Sequence, residues 1–270
     1  MRFGLWNAPA IFQRWINRTL ERFIDCCCIV YLDDVLIYSD NLEQHKRDVP
    51  NITNSKYESG MRLKLSKCEF HQTATEYLEF IFSQQGIKVD PVKTKAIRTW
   101  AKPAKKIEIQ SFLEFHNFYR WFIEWFSTIA KPLYNLTKKG KKWEFRAPQQ
   151  KEFEDLIYKL TQASILSHYK PKKPVMIKTD TSKKVTAGMI SEAGDDNMLI
   201  PITFCSKSMS KSECNYNVHD KELLAIILAL EDWRRYVKRS RHRTKILKEH
   251  KNLVPCMTKK KLNERQEWWK

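Results

Sequence analysis

Glycine is scarce in this chain, with 6 residues in 270, and its 10 prolines are scattered. That scarcity excludes collagen-like, fibrous and low-complexity classes, which depend on those residues in bulk. No apolar run approaches the ~20 residues that a bilayer crossing needs. No signal peptide precedes the charged N-terminus, so neither a membrane span nor a secretory leader is expected. The seven cysteines (26, 27, 28, 68, 205, 214 and 256) are odd in number, include three neighbours and form no CxxC pair. A disulfide framework and a zinc site are both poor readings of that pattern, and buried free thiols in a reducing compartment are the better one. Acidic residues are also in deficit. There are 31 Asp and Glu against 49 Lys and Arg, a formal charge of +18. A chain so basic usually meets a polyanion, nucleic acid first among them, although a merely soluble basic protein stays open on charge alone.

What the chain does have is a core. The 14 Phe, 10 Tyr and 9 Trp need burial, which excludes disorder throughout, and the length fits one to two domains. Pro9 can open a helix that puts Phe12, Trp15, Ile16, Leu20 and Phe23 on one face. Two short apolar runs, 28–31 and 35–38, flank Leu32-Asp33-Asp34 and predict a hairpin with two acids at its tip. A second hairpin is expected over 77–89, turning at Gln85-Gly86. Asp90-Pro91 then caps a helix carrying Val92, Ile97 and Trp100. Further helices are expected over 107–119 and 147–162, the latter with Phe153, Leu156, Ile157 and Leu160 on one face. Basic clusters at 102–106, 138–142 and 170–173 punctuate these helices, and Lys-Pro-Lys-Lys-Pro at 170–174 reads as a linker. Beyond it come strands over 175–179, 187–191 and 200–205, a long helix over 215–237 and a strand over 245–247. No internal repeat is visible.

Adjacent aspartates between apolar strands repel unless something offsets the charge, and a hard divalent cation does so through oxygen ligands. An isolated Tyr-x-Asp-Asp segment is more often a solvated turn; its surroundings reverse that reading. Phe3-Gly4-Leu5-Trp6-Asn7-Ala8-Pro9-Ala10-Ile11-Phe12-Gln13-Arg14 stands upstream, and Leu63-Lys64-Leu65-Ser66-Lys67-Cys68-Glu69-Phe70 downstream. This ordered set resembles the reverse transcriptase of gypsy-type LTR retrotransposons. The resemblance runs on: Tyr77-Leu78 to Gly86-Ile87 looks like the primer-gripping hairpin, and Asp90 to Ser127 like thumb and connection. Thr179-Asp180-Thr181-Ser182, Lys221-Glu222-Leu223-Leu224-Ala225 and Glu249-His250-Lys251-Asn252-Leu253 are similar to the acid-bearing segments of a tethered RNase H domain, the last where the family writes TDHKNL.

The fold class so implied is mixed α+β and α/β. A partial reverse transcriptase palm with the primer-grip-like hairpin spans 1–89, a thumb/connection-like helical region 90–170, and an RNase H-like mixed-sheet domain 171–270. The resemblance makes Asp33 and Asp34 metal-binding catalytic carboxylates of the polymerase, and puts the Phe3-Gly4 backbone beside the incoming nucleotide. Asp180, Glu222 and Glu249 become the catalytic, metal-binding acids of the RNase H half. Mg²⁺ is the implied cofactor, with Mn²⁺ as its substitute. The implied partners are RNA–DNA hybrid or an RNA or DNA template-primer, with deoxynucleotides in the parent enzyme. No membrane is involved, a dimer is left open, and the resemblance implies an intracellular setting in a cytoplasmic or nuclear particle.

Departures from the family pattern temper the expectation of activity. The chain starts inside the nucleotide-site motif, without the first palm aspartate, and stops before the fourth RNase H acid. Pro50 falls inside a helix, where it costs ~3 kcal/mol. Glu79 and Glu114 stand where Gly is usual, and Glu249 replaces Asp. The expected function is a retroelement-derived RNA-directed DNA polymerase and RNase H fragment, truncated and impaired, with no primer extension by the isolated chain. A catalytically dead nucleic-acid-binding remnant is the alternative.

Overall fold

The structure, a computed structural model, describes residues 6–194 and 198–248 and divides the chain into two compact units, Met1–Leu78 and Glu79–Lys270. In the first unit, helix α1 (Ala8–Thr19) takes Pro9 into its opening turn, where a missing N–H costs little. Ile16 and Leu20 are fully buried and pack with Cys28 and Ile52. Trp15, expected on the same face, stays 38% exposed. Strands β1 (Cys28–Tyr31) and β2 (Asp34–Ile37) pair antiparallel from Cys28↔Ile37 to Tyr31↔Asp34. The turn is therefore Leu32-Asp33, and Asp34 opens β2 instead of sharing the tip.

Helix α2 (Leu42–Glu58) starts under a side-chain cap, the Asn41 carbonyl accepting from the Gln44 amide at 2.8 Å. It runs through Pro50 without ending. Pro50 lies on the exposed face, while Ile52 on the inner face anchors the helix. Thr53 Oγ1 donates to the Val49 and Pro50 carbonyls at 2.9 and 3.0 Å, adding local bonds where the ladder is interrupted. Strand β3 (Ala74–Tyr77) is the last element of this unit.

The second unit begins with the hairpin β4 (Phe80–Ser83) and β5 (Gly86–Val89), paired from Phe80↔Val89 to Ser83↔Gly86. Helix α3 (Pro91–Arg98) follows under an Asp90 cap to the Val92 amide, 2.9 Å. Then come α4 (Lys106–Phe118), a short 3-10 turn, α5 (Phe126–Thr137) and α6 (Ala147–Thr161). Phe80 is ringed by Phe118, Tyr119, Trp121 and Phe122 at centroid distances of 5.0 to 5.8 Å, which binds the hairpin to the helices. Phe112 and Phe153 meet at 4.3 Å between α4 and α6, with Ile109, Leu113, Leu133, Leu156 and Leu160 buried around them. Helix α5 was not foreseen, because Pro132 within it reads as a breaker and its N-cap, Trp125, takes a left-handed backbone (φ 60°).

After 170–174, which forms turn and coil as the linker reading expects, β6 (Val175–Thr181), β7 (Val185–Ala193) and β8 (Leu199–Ser208) make an antiparallel meander. Helices α7 (Val218–Asp232) and α8 (Arg234–Arg239) cross back, and β9 (Lys245–Leu247) joins β6 in parallel, giving the sheet order β8-β7-β6-β9. The single long helix expected over 215–237 breaks at Trp233. That indole is 3% exposed and packs with Val175, Ile177, Ile190, Ile202 and Ala229. Ser206 ties β8 to α5, its hydroxyl accepting from the Ser127 amide at 2.9 Å and its carbonyl from the Ser127 hydroxyl at 2.9 Å.

Two stability outcomes follow from this packing. Gly86 has φ +135°, and a Cβ there would stand 2.1 Å from the Leu166 carbonyl oxygen. Gly86→Ala should therefore cost about 3 kcal/mol in urea denaturation. Gly140→Ala, at φ +78° with open space around it, should cost about 1 kcal/mol; equal losses would contradict this packing. His116 is fully buried, its Nδ1 2.9 Å from the Phe112 carbonyl, and burial drives its pKa from 6.5 down to about 4. The neutral ring is the folded form, so its stabilisation is complete above pH 6.5 and is lost as pH falls toward 4. From pH 7 to about pH 5 the chain should lose about 2 kcal/mol more than His116→Phe does. Parallel denaturation curves at the two pH values would refute it.

Candidate functional site

The β1–β2 hairpin carries the first acidic centre. A two-residue turn must place a residue at positive φ, and Leu32 does so at 49°. A Gln13 clamp from α1 holds this strained position. Its Oε1 accepts the Leu32 amide at 2.7 Å, and its Nε2 donates to Asn17 Oδ1 at 2.8 Å and to the Val30 carbonyl at 3.4 Å. Asp33 and Asp34 both stand exposed beyond that clamp. Gln13 lies in the upstream motif noted in the sequence, but its role could not be read there, because the partner is a backbone amide 19 residues away.

Beneath the hairpin the chemistry is apolar and basic. Burial, then the charge of Asp34, then Cys28, pushes the Tyr77 hydroxyl up to about 12. Burial, reinforced by the neighbouring thiols, takes the Cys28 thiol to about 12, so it is inert as a nucleophile. Lys56 is 6% exposed, and burial lowers its pKa while Cys68, Cys28 and Asp33 oppose the change. Exposed carboxylate oxygens on a fixed turn are a suitable donor set for a hard divalent cation, and Asp33 and Asp34 are the residues that would hold it.

The second acidic centre lies at the end of the C-terminal sheet. Asp180 is exposed near the end of β6, opposite Ala187, and its Oδ1 accepts the Thr181 amide at 2.7 Å. Glu222 is in the first half of α7 and 4% exposed. Thr181 Oγ1 donates to Glu222 Oε1 at 3.4 Å, so the strand of the first acid touches the second. Lys248, one residue past β9, pairs its ammonium with Glu222 Oε2 and also donates to the Glu222 backbone carbonyl at 3.2 Å. Burial lowers Lys248 from 10.5 to about 8, with the charge of Asp180 opposing that shift. A carboxylate already paired with an ammonium does not fit a divalent cation in this arrangement.

Glu249, Phe3 and Gly4 lie outside the described residues. Among the described residues, no group of three or more His, Cys, Asp or Glu is gathered as a metal-binding cluster. Lys248 was missed in the sequence, yet a signal existed. It directly precedes Glu249 and so occupies the Thr of the TDHKNL pattern. The two glutamates at Gly positions are also explained. Glu79 adopts φ +67°, and its carboxylate accepts from Lys93 Nζ at 2.8 Å and from Tyr119 Oη at 3.1 Å. Glu114 is exposed on α4 and meets water.

Comparisons with known proteins give two family matches along the chain. Residues 1–108 match the family model for reverse transcriptase (RNA-dependent DNA polymerase), and residues 145–246 match that for the RNase H-like domain found in reverse transcriptase. The Transposon Tf2-3 and Tf2-7 polyproteins of Schizosaccharomyces pombe are each 31% identical over 258 residues, 96% of this chain. The chain spans 19% of the length of those polyproteins. The fold is shared with solved foamy viral protease-reverse transcriptases. One, named as dRH in complex with ds DNA, aligns with a TM-score of 0.82 at 22% identity, covering 98% of this chain and 47% of its own. Another, in complex with RNA/DNA hybrid, gives 0.78 at 23%, covering 100% and 37%.

If the Gln13 clamp positions the acidic turn, Gln13→Ala should speed hydrogen exchange at the Leu32 amide by about tenfold, the equivalent of a lost hydrogen bond of about 1.4 kcal/mol. The amides of Val35 and Ile37 should exchange at unchanged rates. Uniform acceleration across the unit would mean that Gln13 supports the fold at large instead.

Proposed function

We propose that this chain is the part of a retrotransposon polyprotein that runs from a reverse transcriptase palm hairpin to an RNase H-like domain, and that it acts on RNA–DNA hybrid. On this reading 1–89 serves as partial palm, 90–170 as thumb and connection, and 171–270 as the RNase H-like domain. The observation that carries it is the Asp33–Asp34 pair, exposed on a turn whose backbone is fixed by Gln13. Mg²⁺ or Mn²⁺ bound there would supply the positive charge that phosphoryl transfer requires. The chain's own contribution is placement. The hairpin presents both carboxylates to solvent, the Gln13 bond keeps the turn from relaxing, and the Phe3-Gly4 backbone is assigned to the incoming deoxynucleotide. Asp180, Glu222 and Glu249 are read as the acid set of the RNase H-like half, in which Lys248, instead of a metal, is paired with Glu222.

Backbone recognition is supported by the exposed basic clusters of the second unit. Lys102, Lys105, Lys138, Lys139, Lys141 and Lys142 all face solvent, and Lys106 Nζ donates to the Lys138 carbonyl at 3.2 Å, which joins two of the clusters. Lysines of this kind neutralise phosphates without reading bases. A second reading, a nucleic-acid-binding remnant without turnover, is favoured for the C-terminal half by the pairing of Lys248 with Glu222.

Fluorescence anisotropy with a labelled hybrid tests the binding common to both readings. With about five phosphates neutralised, log affinity should fall against log salt with a slope of about −4, a loss of roughly 250-fold between about 50 and 200 mM. Shuffled sequences should bind alike, and Asp33→Ala with Asp34→Ala should leave affinity in chelator unchanged while removing any gain from Mg²⁺. Affinity indifferent to salt, or absent at low ionic strength, would sink the proposal.

A further inference from the structure

A glutamate withdrawn from water at the end of an RNase H-like sheet needs a counter-charge, and in this chain a lysine supplies it at Glu222. Lys248 leaves β9 beside β6 and reaches Glu222 on α7, so its ammonium lies where three elements meet. Both partners are withdrawn from water, with side-chain exposures of 9% and 5%. The other Glu222 oxygen takes the Thr181 hydroxyl, and the Glu222 backbone carbonyl takes a second bond from Lys248. Both carboxylate oxygens of Glu222 thus have partners from the chain itself. Asp180 directly precedes Thr181 on β6, so the strand that bonds Glu222 also carries the first acid.

We propose that Lys248 is a built-in cation that holds the place of the metal between Asp180 and Glu222, so that the RNase H-like domain keeps its acids assembled without a divalent ion and engages hybrid without cutting it. The inference rests on the reading of Asp180 and Glu222 as the acid cluster of that domain. A tethered ammonium has an advantage over a free ion, because its local concentration is set by the fold. It carries one charge where a divalent ion carries two, and it has no exchangeable coordination position at which a water could be activated. Mg²⁺ also gives up its hydration water reluctantly. To enter, it would have to displace an ammonium that is already desolvated against its carboxylate.

The test uses the full chain with Asp33→Asn and Asp34→Asn in every sample, so that the hairpin acids cannot respond to metal. Thermal unfolding is followed in chelator and in Mn²⁺ for the parent and for Lys248→Thr, which restores the residue of the family pattern. The parent should show no Mn²⁺ shift. Lys248→Thr should unfold at lower temperature in chelator and recover roughly 3 to 6 °C in Mn²⁺ at about ten times its dissociation constant. Adding Asp180→Asn or Glu222→Gln to Lys248→Thr should abolish that recovery, and Lys248→Arg should behave as the parent. A parent chain stabilised by Mn²⁺ as strongly as Lys248→Thr overturns the lysine's occupancy while leaving the acids as metal ligands. A Lys248→Thr response that survives both acid substitutions overturns the acid-cluster reading instead. Should Lys248→Thr fail to fold, electron paramagnetic resonance of Mn²⁺ added to the parent decides. Free Mn²⁺ alone supports the proposal, and a bound ion lost with Asp180→Asn ends it.

Discussion

An ionised carboxylate removed from water must meet a counter-charge or take up a proton, and the end of the C-terminal sheet is organised around that demand at Glu222. The residue faces inward from α7, among side chains that offer no solvent. Its counter-charge comes from Lys248, just past the edge strand β9 and 26 residues further along the chain. The pair therefore fixes two placements together, α7 against the end of β6 and β9 alongside it. Strand β9 has only three residues, all exposed, and three partners on β6. So short an edge has little packing of its own to hold it. Removing one member of a buried pair is costly because the other charge stays behind, which makes this end of the sheet more sensitive than its exposed strand would indicate.

The two acidic centres solve the same electrostatic problem by opposite routes. Asp33 and Asp34 stay in water, where high dielectric weakens their mutual repulsion and leaves their oxygens free to bind. The constraint there lies in the backbone, where the positive φ of Leu32 is held by one side-chain amide from α1. At the sheet the constraint lies in the charges, and the backbone around Asp180 is ordinary strand. One centre is open and geometrically fixed; the other is closed and electrostatically satisfied.

Much of this was legible in the sequence wherever local pattern decides the outcome. The helix over 147–162 carried its apolar residues at helical spacing and buries Phe153, Leu156 and Leu160 as expected. The 28–38 hairpin was marked by apolar runs on either side of a polar turn, although its register, which moves Asp34 from the tip into β2, depends on the positive φ of Leu32. Helix α5 was hidden because propensity counts Pro132 against it, whereas burial of Phe126, Ile129, Ala130, Leu133 and Leu136 outweighs that cost. The break at Trp233 was hidden for the converse reason. The helical pattern continues through it, and only the sheet's need for an indole in its core turns the chain. Lys248 was the hardest to see, since a lysine after a short strand reads as a surface residue until its partner is known.

The close approach of Gly86 to Leu166 has a consequence in time. Ile87 bridges Leu166 by backbone bonds of 2.8 and 3.0 Å, and those residues are 79 apart in the chain. At ~5–20 residues per second, a ribosome needs roughly 4 to 16 s to deliver the second after the first. During that interval the N–H and C=O of Ile87 have no mate, and an unpaired strand edge invites whatever extended chain is nearby. The intervening helices are made of local contacts and can form while the strand waits. The bridge is thus a seal applied late, after α6 has emerged and carried Leu166 back to the hairpin.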